Sequence, residues 1–127
     1  MRRDKDLLRA WLLFLEEKEV PHGTLDISQD QDGFGIENYD WGSCIYHANL
    51  LIDSGFIDGK VTASGHLLHN RITSAGHDFL EVIRDPEIWS MTKSASEKAG
   101  GWSLELLGDL ARGLIRTQVK KHTGIEI

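Results

Sequence analysis

The chain has 127 residues, of which 40% are hydrophobic, and it carries a formal net charge of −6. This length suits one compact domain with a terminal helix, and no apolar stretch is long enough to cross a bilayer. The single cysteine, Cys44, excludes an intramolecular disulfide. We therefore expect a cytoplasmic protein that has no membrane partner.

The N-terminal third predicts one helix followed by a short hairpin. Apolar residues recur at helical spacing from Leu7 to Leu15 behind Asp4 or Asp6 as a cap, and the sequence Pro-His-Gly ends the pattern. Apolar and polar residues then alternate on both sides of an Asp-Gly pair. This alternation favours a short acidic hairpin within residues 24–38.

A second helix is predicted to begin after Asp40, a typical N-cap residue, and to end at Gly55. The four-three-four spacing of its apolar residues predicts an inward stripe of Trp41, Ile45, Ala48 and Ile52. The outward, recognition face is then predicted to consist of Ser43, Tyr46, His47, Asn49 and Leu50.

Two predicted strands follow the second helix, over residues 56–62 and 67–72, and the sequence Ala-Ser-Gly-His joins them. We expect a two-stranded wing. If the protein bound DNA, phosphate contacts would come from the wing and from the start of the chain. The wing residues are Lys60, His66, His69 and Arg71, and those at the start are Arg2, Arg3 and Lys5.

The last third of the chain is predicted to be helical. Thr73 or Ser74 caps a third helix, which Asp85 and Pro86 re-cap as a continuing or kinked segment that ends at the glycine pair 100–101. A final helix follows and carries an apolar stripe beside a basic one. The apolar stripe is a candidate homodimer contact, although packing within one chain or a solvated face explains it equally well. It consists of Leu107, Leu110 and Leu114.

The order helix, short irregular piece, helix, two-stranded wing, helix is typical of a winged helix, with the helix after Asp40 in the recognition position. We therefore expect an α+β, mostly helical fold with a winged-helix-like domain over residues 1–99 and an additional short acidic hairpin. A C-terminal helix over residues 102–123 is expected to pack on this domain or to mediate dimerisation.

Four segments carry a family resemblance: MRRDKDLLRAWLLFLEEKE, YDWGSCIYHANLLIDSGFIDG, RITSAGHDFLEVIRDPEIWSMTK and GGWSLELLGDLARGLI. The most specific parts are Tyr46-His47 followed by Leu50 and Leu51, and the run at 76–80 leading to Trp89. Together the segments resemble the bacterial and prophage family catalogued as domain of unknown function 2513. The resemblance implies a small prophage-type protein with a winged-helix-like body, and it implies no catalytic residue.

Candidate groupings for catalysis or metal binding are weak. Ser74, His77 and Asp78 fall within one helical turn, which cannot line up a nucleophile, a base and an orienting acid. Residues 28–33 resemble the start of a calcium loop, but Tyr39 stands where a bidentate glutamate is required. We expect no enzymatic activity, no cofactor and no bound metal.

The charge pattern is the strongest functional signal. No lysine or arginine occurs between Lys18 and Lys60, whereas the stretch from Glu19 to Gly59 holds eight acids; the rest of the chain has 14 basic and 12 acidic residues. Phosphate contacts depend on lysine and arginine, so an acidic stretch favours a protein partner over DNA. The candidate acidic surface consists of Asp26, Asp30, Asp32, Glu37, Asp40 and Asp53.

We therefore expect a non-enzymatic macromolecule-binding module of prophage type that binds and modulates a host or phage protein. The alternative is a winged-helix transcriptional regulator that binds duplex DNA.

Overall fold

The computed structural model describes residues 1–29, 36 and 38–126. Within these residues the fold is α+β and mostly helical, with five helices and three strands. The elements are α1 (Lys5–Lys18), β1 (Leu25–Ile27), α2 (Trp41–Asp53), β2 (Ile57–Val61), β3 (Leu67–Ile72), α3 (Ser74–Ile83), α4 (Pro86–Lys98) and α5 (Leu104–Thr123).

The helices begin where polar caps satisfy the free N–H groups of the first turn. The Asp4 carboxylate accepts from the Leu7 N–H at 3.1 Å, which confirms Asp4 as the cap of α1. Asp85 caps α4 in the same way, through the Ile88 N–H at 2.9 Å, and Pro86 occupies the first turn. Ser103 caps α5 through the Leu106 N–H.

The three described strands form one antiparallel sheet in the order β1-β3-β2. β2 and β3, with the loop 62–66 between them, form the predicted two-stranded hairpin, which we call the wing. β1 pairs with β3 through Leu25 opposite His69 and Ile27 opposite Leu67. The first part of the predicted acidic hairpin is thus a third strand of the wing sheet. Its predicted turn and second strand fall largely on residues 30–35 and 37, outside the described residues.

A close backbone approach shapes the middle of the wing. The register between β2 and β3 shifts at Asp58 and Gly59, as in a β-bulge. A Cβ atom on Gly59 would collide with the Leu68 carbonyl oxygen and crowd the His69 Cα. Only glycine therefore fits this point of β2 without a backbone shift.

The chain divides into two compact units, Met1–Asp78 and Phe79–Ile127. In the first unit, α1 packs on α2 and β3. The buried face of α1 holds the predicted apolar residues, whereas the buried face of α2 differs from the prediction. These α1 residues are Leu7, Leu8, Trp11, Leu12 and Leu15. The buried α2 residues are Cys44, His47, Ala48 and Leu51.

In the second unit, α4 packs on α5, and only residues 99–103 join the two helices. The helices run antiparallel, because the start of α4 and the later half of α5 line one cavity of about 280 Å³. Leu107 is fully buried, so its place on an outward dimer stripe was predicted wrongly. The second unit begins at Phe79, whereas the predicted division lies at residues 99–102. The winged-helix-like domain over residues 1–99 stays a prediction.

Candidate interaction face on helix α2

Hydrogen bonds at both ends define α2. Asp40 accepts from the Ser43 N–H at 2.7 Å and from the Ser43 hydroxyl at 3.2 Å. At the other end, Gly55 adopts a φ of 76°, a left-handed conformation that glycine takes without a Cβ penalty. The Phe56 N–H then bonds back to the Leu51 carbonyl oxygen and leads directly into β2. The helix thus has fixed ends.

His47 is a buried structural residue of α2. Its side chain is only 2% exposed, and the Asp4 N–H donates to its Nε2 at 2.8 Å. Its Nδ1 donates to the Ser43 carbonyl oxygen at 2.8 Å, so the ring is the neutral Nδ1–H tautomer. The prediction that His47 faces outward as a recognition residue is therefore wrong. Instead, it ties the start of α1 to α2.

Two tryptophan side chains connect α2 to its neighbours. Trp11 of α1 donates its indole N–H to the Cys44 carbonyl oxygen at 2.7 Å in a buried hydrogen bond. Trp41 donates to the Gly65 carbonyl oxygen at 2.8 Å, which connects the start of α2 to the wing loop. The two indoles meet edge to face with centroids 6.5 Å apart. The two indoles therefore connect α2 to α1 and to the wing loop.

The solvent-exposed stripe of α2 follows i, i+4, i+7 and i+11 spacing. Tyr46 lies near its middle and is 39% exposed. Ser43 and Leu50, two further predicted recognition residues, border the stripe and are half-buried. None of the four stripe residues is basic. We call them the α2 face: Gly42, Tyr46, Asn49 and Asp53.

The acids predicted for partner binding have different environments. Asp40 is occupied as the cap of α2, and Asp26 accepts a 2.8 Å hydrogen bond from the His66 ring. Asp53 is exposed at the C-terminal end of the α2 face. A single acidic surface joining them stays a prediction, because the remaining three candidates lie outside the described residues. Those three are Asp30, Asp32 and Glu37.

The basic residues of the wing lie on the outer face of the sheet. Lys60 is opposite Leu68, and Arg71 is opposite Asp58, so each is on the face away from the buried Ile57 and Leu67. Lys60 and Arg71 are both exposed. The positive charge of Arg71 is thus adjacent to a negative charge across the strands.

His69 cannot contact phosphate, because its side chain is fully buried. Its Nε2 donates to Glu19 Oε2 at 2.8 Å, and the same oxygen accepts from the Ile72 N–H at 2.9 Å. Its Nδ1 has no hydrogen-bond partner among the described residues. The prediction of His69 as a wing contact is therefore wrong. Glu19, which directly follows α1, instead anchors β3.

Two side chains in this unit have raised pKa values. Burial, aided by the nearby Asp4 carboxylate, raises the pKa of Tyr39 from 10.0 to about 12. The Tyr39 hydroxyl also donates to Asp4 at 3.1 Å. Burial, with a smaller contribution from Asp40, raises the pKa of the Cys44 thiol. A protonated, fully buried thiol is a weak nucleophile, so Cys44 behaves as an apolar core residue.

The residues considered for catalysis lie at the surface of α3. Ser74, His77 and Asp78 are exposed in the first turn of α3, which Thr73 caps through the Gly76 N–H at 3.1 Å. No three His, Cys, Asp or Glu side chains of the described part are grouped so that they could hold a metal ion. No helix in that part is both long and apolar enough to span a membrane.

Sequence signals for the two buried histidines were present but ambiguous. Cys44, Ala48 and Leu51 follow the same i, i+4, i+7 spacing that the predicted stripe has from residue 41, starting three residues later, and His47 lies beside them on the helix. In β3, alternation from Leu67 points His69 inward. The long-range hydrogen bonds that the Asp4 N–H and the Glu19 carboxylate make to these histidines leave no periodic pattern in the sequence.

Comparisons with known proteins agree with the resemblance seen in the sequence. The model of the family described as "Hypothetical protein (DUF2513)" matches residues 2–102, which include all of the first unit except Met1. An uncharacterised protein from Haemophilus influenzae (strain ATCC 51907 / DSM 11121 / KW20 / Rd) is 30% identical over 119 residues, covering 91% of this chain and 96% of that protein. No solved structure matches.

Proposed function

We propose that this chain, which belongs to the DUF2513 family, is a non-enzymatic module of winged-helix type that binds a protein partner through the α2 face. The partner class that we propose is a host or phage protein with a basic surface, whose activity the module modulates. The observation that carries the proposal is an exposed, cation-free face on the helix that a winged helix presents to its target.

The order of elements supports the winged-helix assignment. The first unit runs α1, β1, α2, β2, β3, and its sheet order is β1-β3-β2. The order helix, short piece, helix and two-stranded wing is the one expected for a winged helix, in which the recognition helix directly precedes the wing. In this assignment α2 is the recognition helix.

The composition of the α2 face supports a protein partner over DNA. Exposed tyrosine is enriched at protein interfaces because its ring buries a large area at a low entropic cost, while its hydroxyl remains able to hydrogen-bond. Asn49 adds hydrogen-bonding capacity, and Asp53 adds a negative charge. Duplex DNA would meet this face without the lysine or arginine contacts that supply most of its nonspecific affinity.

The DNA-binding regulator is the alternative, and two observations favour it. Lys60 and Arg71 are exposed on the wing, and Arg2 and Arg3 precede α1, whose first turn is tied to α2 through Asp4 and His47. Basic groups beside a recognition helix that has no lysine or arginine of its own would contact the phosphate backbone. The experiment below separates the two functions.

Partner capture with matched variants tests the proposal. We expect Tyr46→Ala to lose the partners that the intact chain retains from a bacterial lysate, and Asp53→Asn to weaken their retention. Met91→Ala is the matched control, because Met91 is also 39% exposed but lies on α4. If Tyr46→Ala and Met91→Ala retain the same partners equally well, the α2 face is not the interface. Retention of duplex DNA that is lost in Lys60→Gln and Arg71→Gln would favour the regulator instead.

A further inference from the structure

Helix α5 carries a row of four exposed charges, with the acids in its first half and the bases in its second half. Glu105 and Asp109 lie in its first half, Arg116 and Lys120 lie in its second half, and all four are exposed. Their spacing of four, seven and four residues places them in one row along the helix. This row is distinct from the buried side of α5, which holds Leu107, Gly108 and Ala111.

The charges in this row are arranged symmetrically but with opposite signs. Glu105 and Lys120 are equally far in sequence from the point between residues 112 and 113, and so are Asp109 and Arg116. A two-fold axis through that point would lay α5 antiparallel against the α5 helix of a second copy. Glu105 would then face Lys120 of the second copy, and Asp109 would face Arg116. Because the two-fold axis repeats each of these pairs, the dimer would contain four ion pairs. A parallel arrangement would bring acid near acid and base near base.

An apolar stripe lies next to this row. Leu106, Leu110 and Leu114 are spaced by four residues, and each is half-buried rather than fully covered. At the symmetry point Gly113 is exposed, and a Cβ atom placed on it would meet nothing within 4 Å, so a second helix has room to approach closely. An apolar seam flanked by complementary charges is the arrangement that selects the orientation of paired helices.

Ion pairs within the chain compete with this arrangement only weakly. Arg112 pairs with Asp109 one turn away, and Lys120 is 3.8 Å from Glu126. The side chains of Asp109 and Lys120 are 60% and 63% exposed in these pairs. Exposed pairs contribute up to about 1 kcal/mol each, and a carboxylate accepts more than one donor. Both residues therefore remain able to contact a second copy.

We propose that the α5 row and its leucine stripe are a self-association surface, and that its occupant is a second copy of this chain in antiparallel orientation. The predicted dimer stripe is thereby corrected from Leu107, Leu110 and Leu114 to Leu106, Leu110 and Leu114. The proposal rests on the second compact unit and is independent of the partner bound by the α2 face.

Charge reversal tests both the surface and its orientation. In a basic variant, Glu105→Lys and Asp109→Lys make the whole row positive; in an acidic variant, Arg116→Glu and Lys120→Glu make it negative. Sedimentation equilibrium on the order of 100 μM should find the wild-type chain dimeric. The dissociation constant of each variant should rise by at least about ten-fold, since like charges then face each other. An equimolar mixture of the two variants should form a heterodimer.

Controls keep the outcome specific. Glu87→Lys with Glu97→Lys makes the same change in net charge on exposed positions of α4 and should leave the dimer intact. Far-UV circular dichroism checks that each variant is helical, and recovery of the dimer in the mixture would itself show that both variants fold. A wild-type monomer at all concentrations would overturn the proposal. So would variants that dimerise as tightly as the wild type, or a mixture that stays monomeric.

Discussion

Replacing Gly76 by alanine should destabilise the first compact unit. Gly76 lies in the first turn of α3, where an added Cβ would collide with the Phe56 carbonyl oxygen and lie 2.8 Å from the Ile72 Cγ2. Phe56 cannot easily move, because its N–H bonds to the Leu51 carbonyl oxygen and its own carbonyl oxygen accepts from the Thr73 N–H at 3.0 Å. The new methyl group therefore has to displace the backbone that joins α2 to β2.

The size of this effect follows from three contributions. Overpacking costs about 1–3 kcal/mol, and loss of the hydrogen bond between Thr73 and Phe56 costs about 1 kcal/mol. Alanine returns about 1 kcal/mol through its better helix propensity. The free energy of unfolding should thus fall by about 1–3 kcal/mol. With a urea m-value of about 2 kcal/mol/M, the unfolding midpoint should fall by about 0.5–1.5 M.

Urea unfolding followed by far-UV circular dichroism measures this change at a chain concentration of about 1 μM, well below that at which the proposed α5 dimer is expected, and Gly113→Ala is the matched control. Gly113 is also helical, but an added Cβ meets nothing there within 4 Å, so alanine should stabilise the chain by about 0.5–1 kcal/mol. The two substitutions should therefore move the midpoint in opposite directions. A midpoint that rises in both variants would refute the close approach between α3 and Phe56.

Three further outcomes are expected from the first unit. Glu19→Ala should lower the free energy of unfolding by about 2–3 kcal/mol, because the buried His69 Nε2 and the Ile72 N–H both lose their acceptor. Glu19→Gln keeps an oxygen acceptor and should lower it less. Equal losses of the two variants in urea unfolding would contradict this. Cys44 should react with a thiol reagent at pH 8 about 100-fold more slowly in the folded chain than in urea, and equal rates would show that it is not buried. Absorbance titration, with Tyr39→Phe to assign the signal, should show Tyr39 ionising at about 12 in the folded chain. Since this pKa lies above 10.0, the stability contributed by Tyr39 is complete below pH 10 and is lost as the pH rises to 12; a folded-state value of 10 would contradict the prediction.

Much of the fold was predictable because local chemistry determines it. Asp4, Asp40, Asp85 and Ser103 are the caps observed, and Pro86 occupies the first turn of α4, as expected for residues whose effect is confined to one helical turn. The wing was predictable from two apolar runs that a four-residue loop joins. These features depend on neighbours in sequence, so one sequence suffices to recognise them.

The orientation of α2 was less predictable, because apolar residues occur on most of its sides. Trp41 and Ile45 match a helical stripe as well as Cys44 and Leu51 do, and the choice between them depends on which side α1 and β3 cover. His47 was assigned outward because the predicted stripe left it on the other side of the helix, whereas two backbone groups satisfy its buried ring. Such tertiary hydrogen bonds leave no periodic signal.

The exposed α2 face was predictable in part from local sequence and in part only from tertiary packing. Tyr46 and Asn49 were predicted correctly as outward residues, since both stripes leave them exposed. The absence of lysine and arginine from residues 19–59 is a property of the sequence alone. Helix α2 has no lysine or arginine whichever of its sides is buried. The preference for a protein partner therefore holds although the buried side differs from the predicted one.

The most direct test of the central claim is a fluorescence anisotropy titration of a labelled random DNA duplex at about 50 mM salt. Low salt maximises nonspecific binding, so a DNA-reading winged helix should bind there in the micromolar range. The α2 face, with no lysine or arginine, predicts no saturable rise in anisotropy at these concentrations. Saturable binding that weakens steeply as salt increases, and that Lys60→Gln with Arg71→Gln abolishes, would contradict the account.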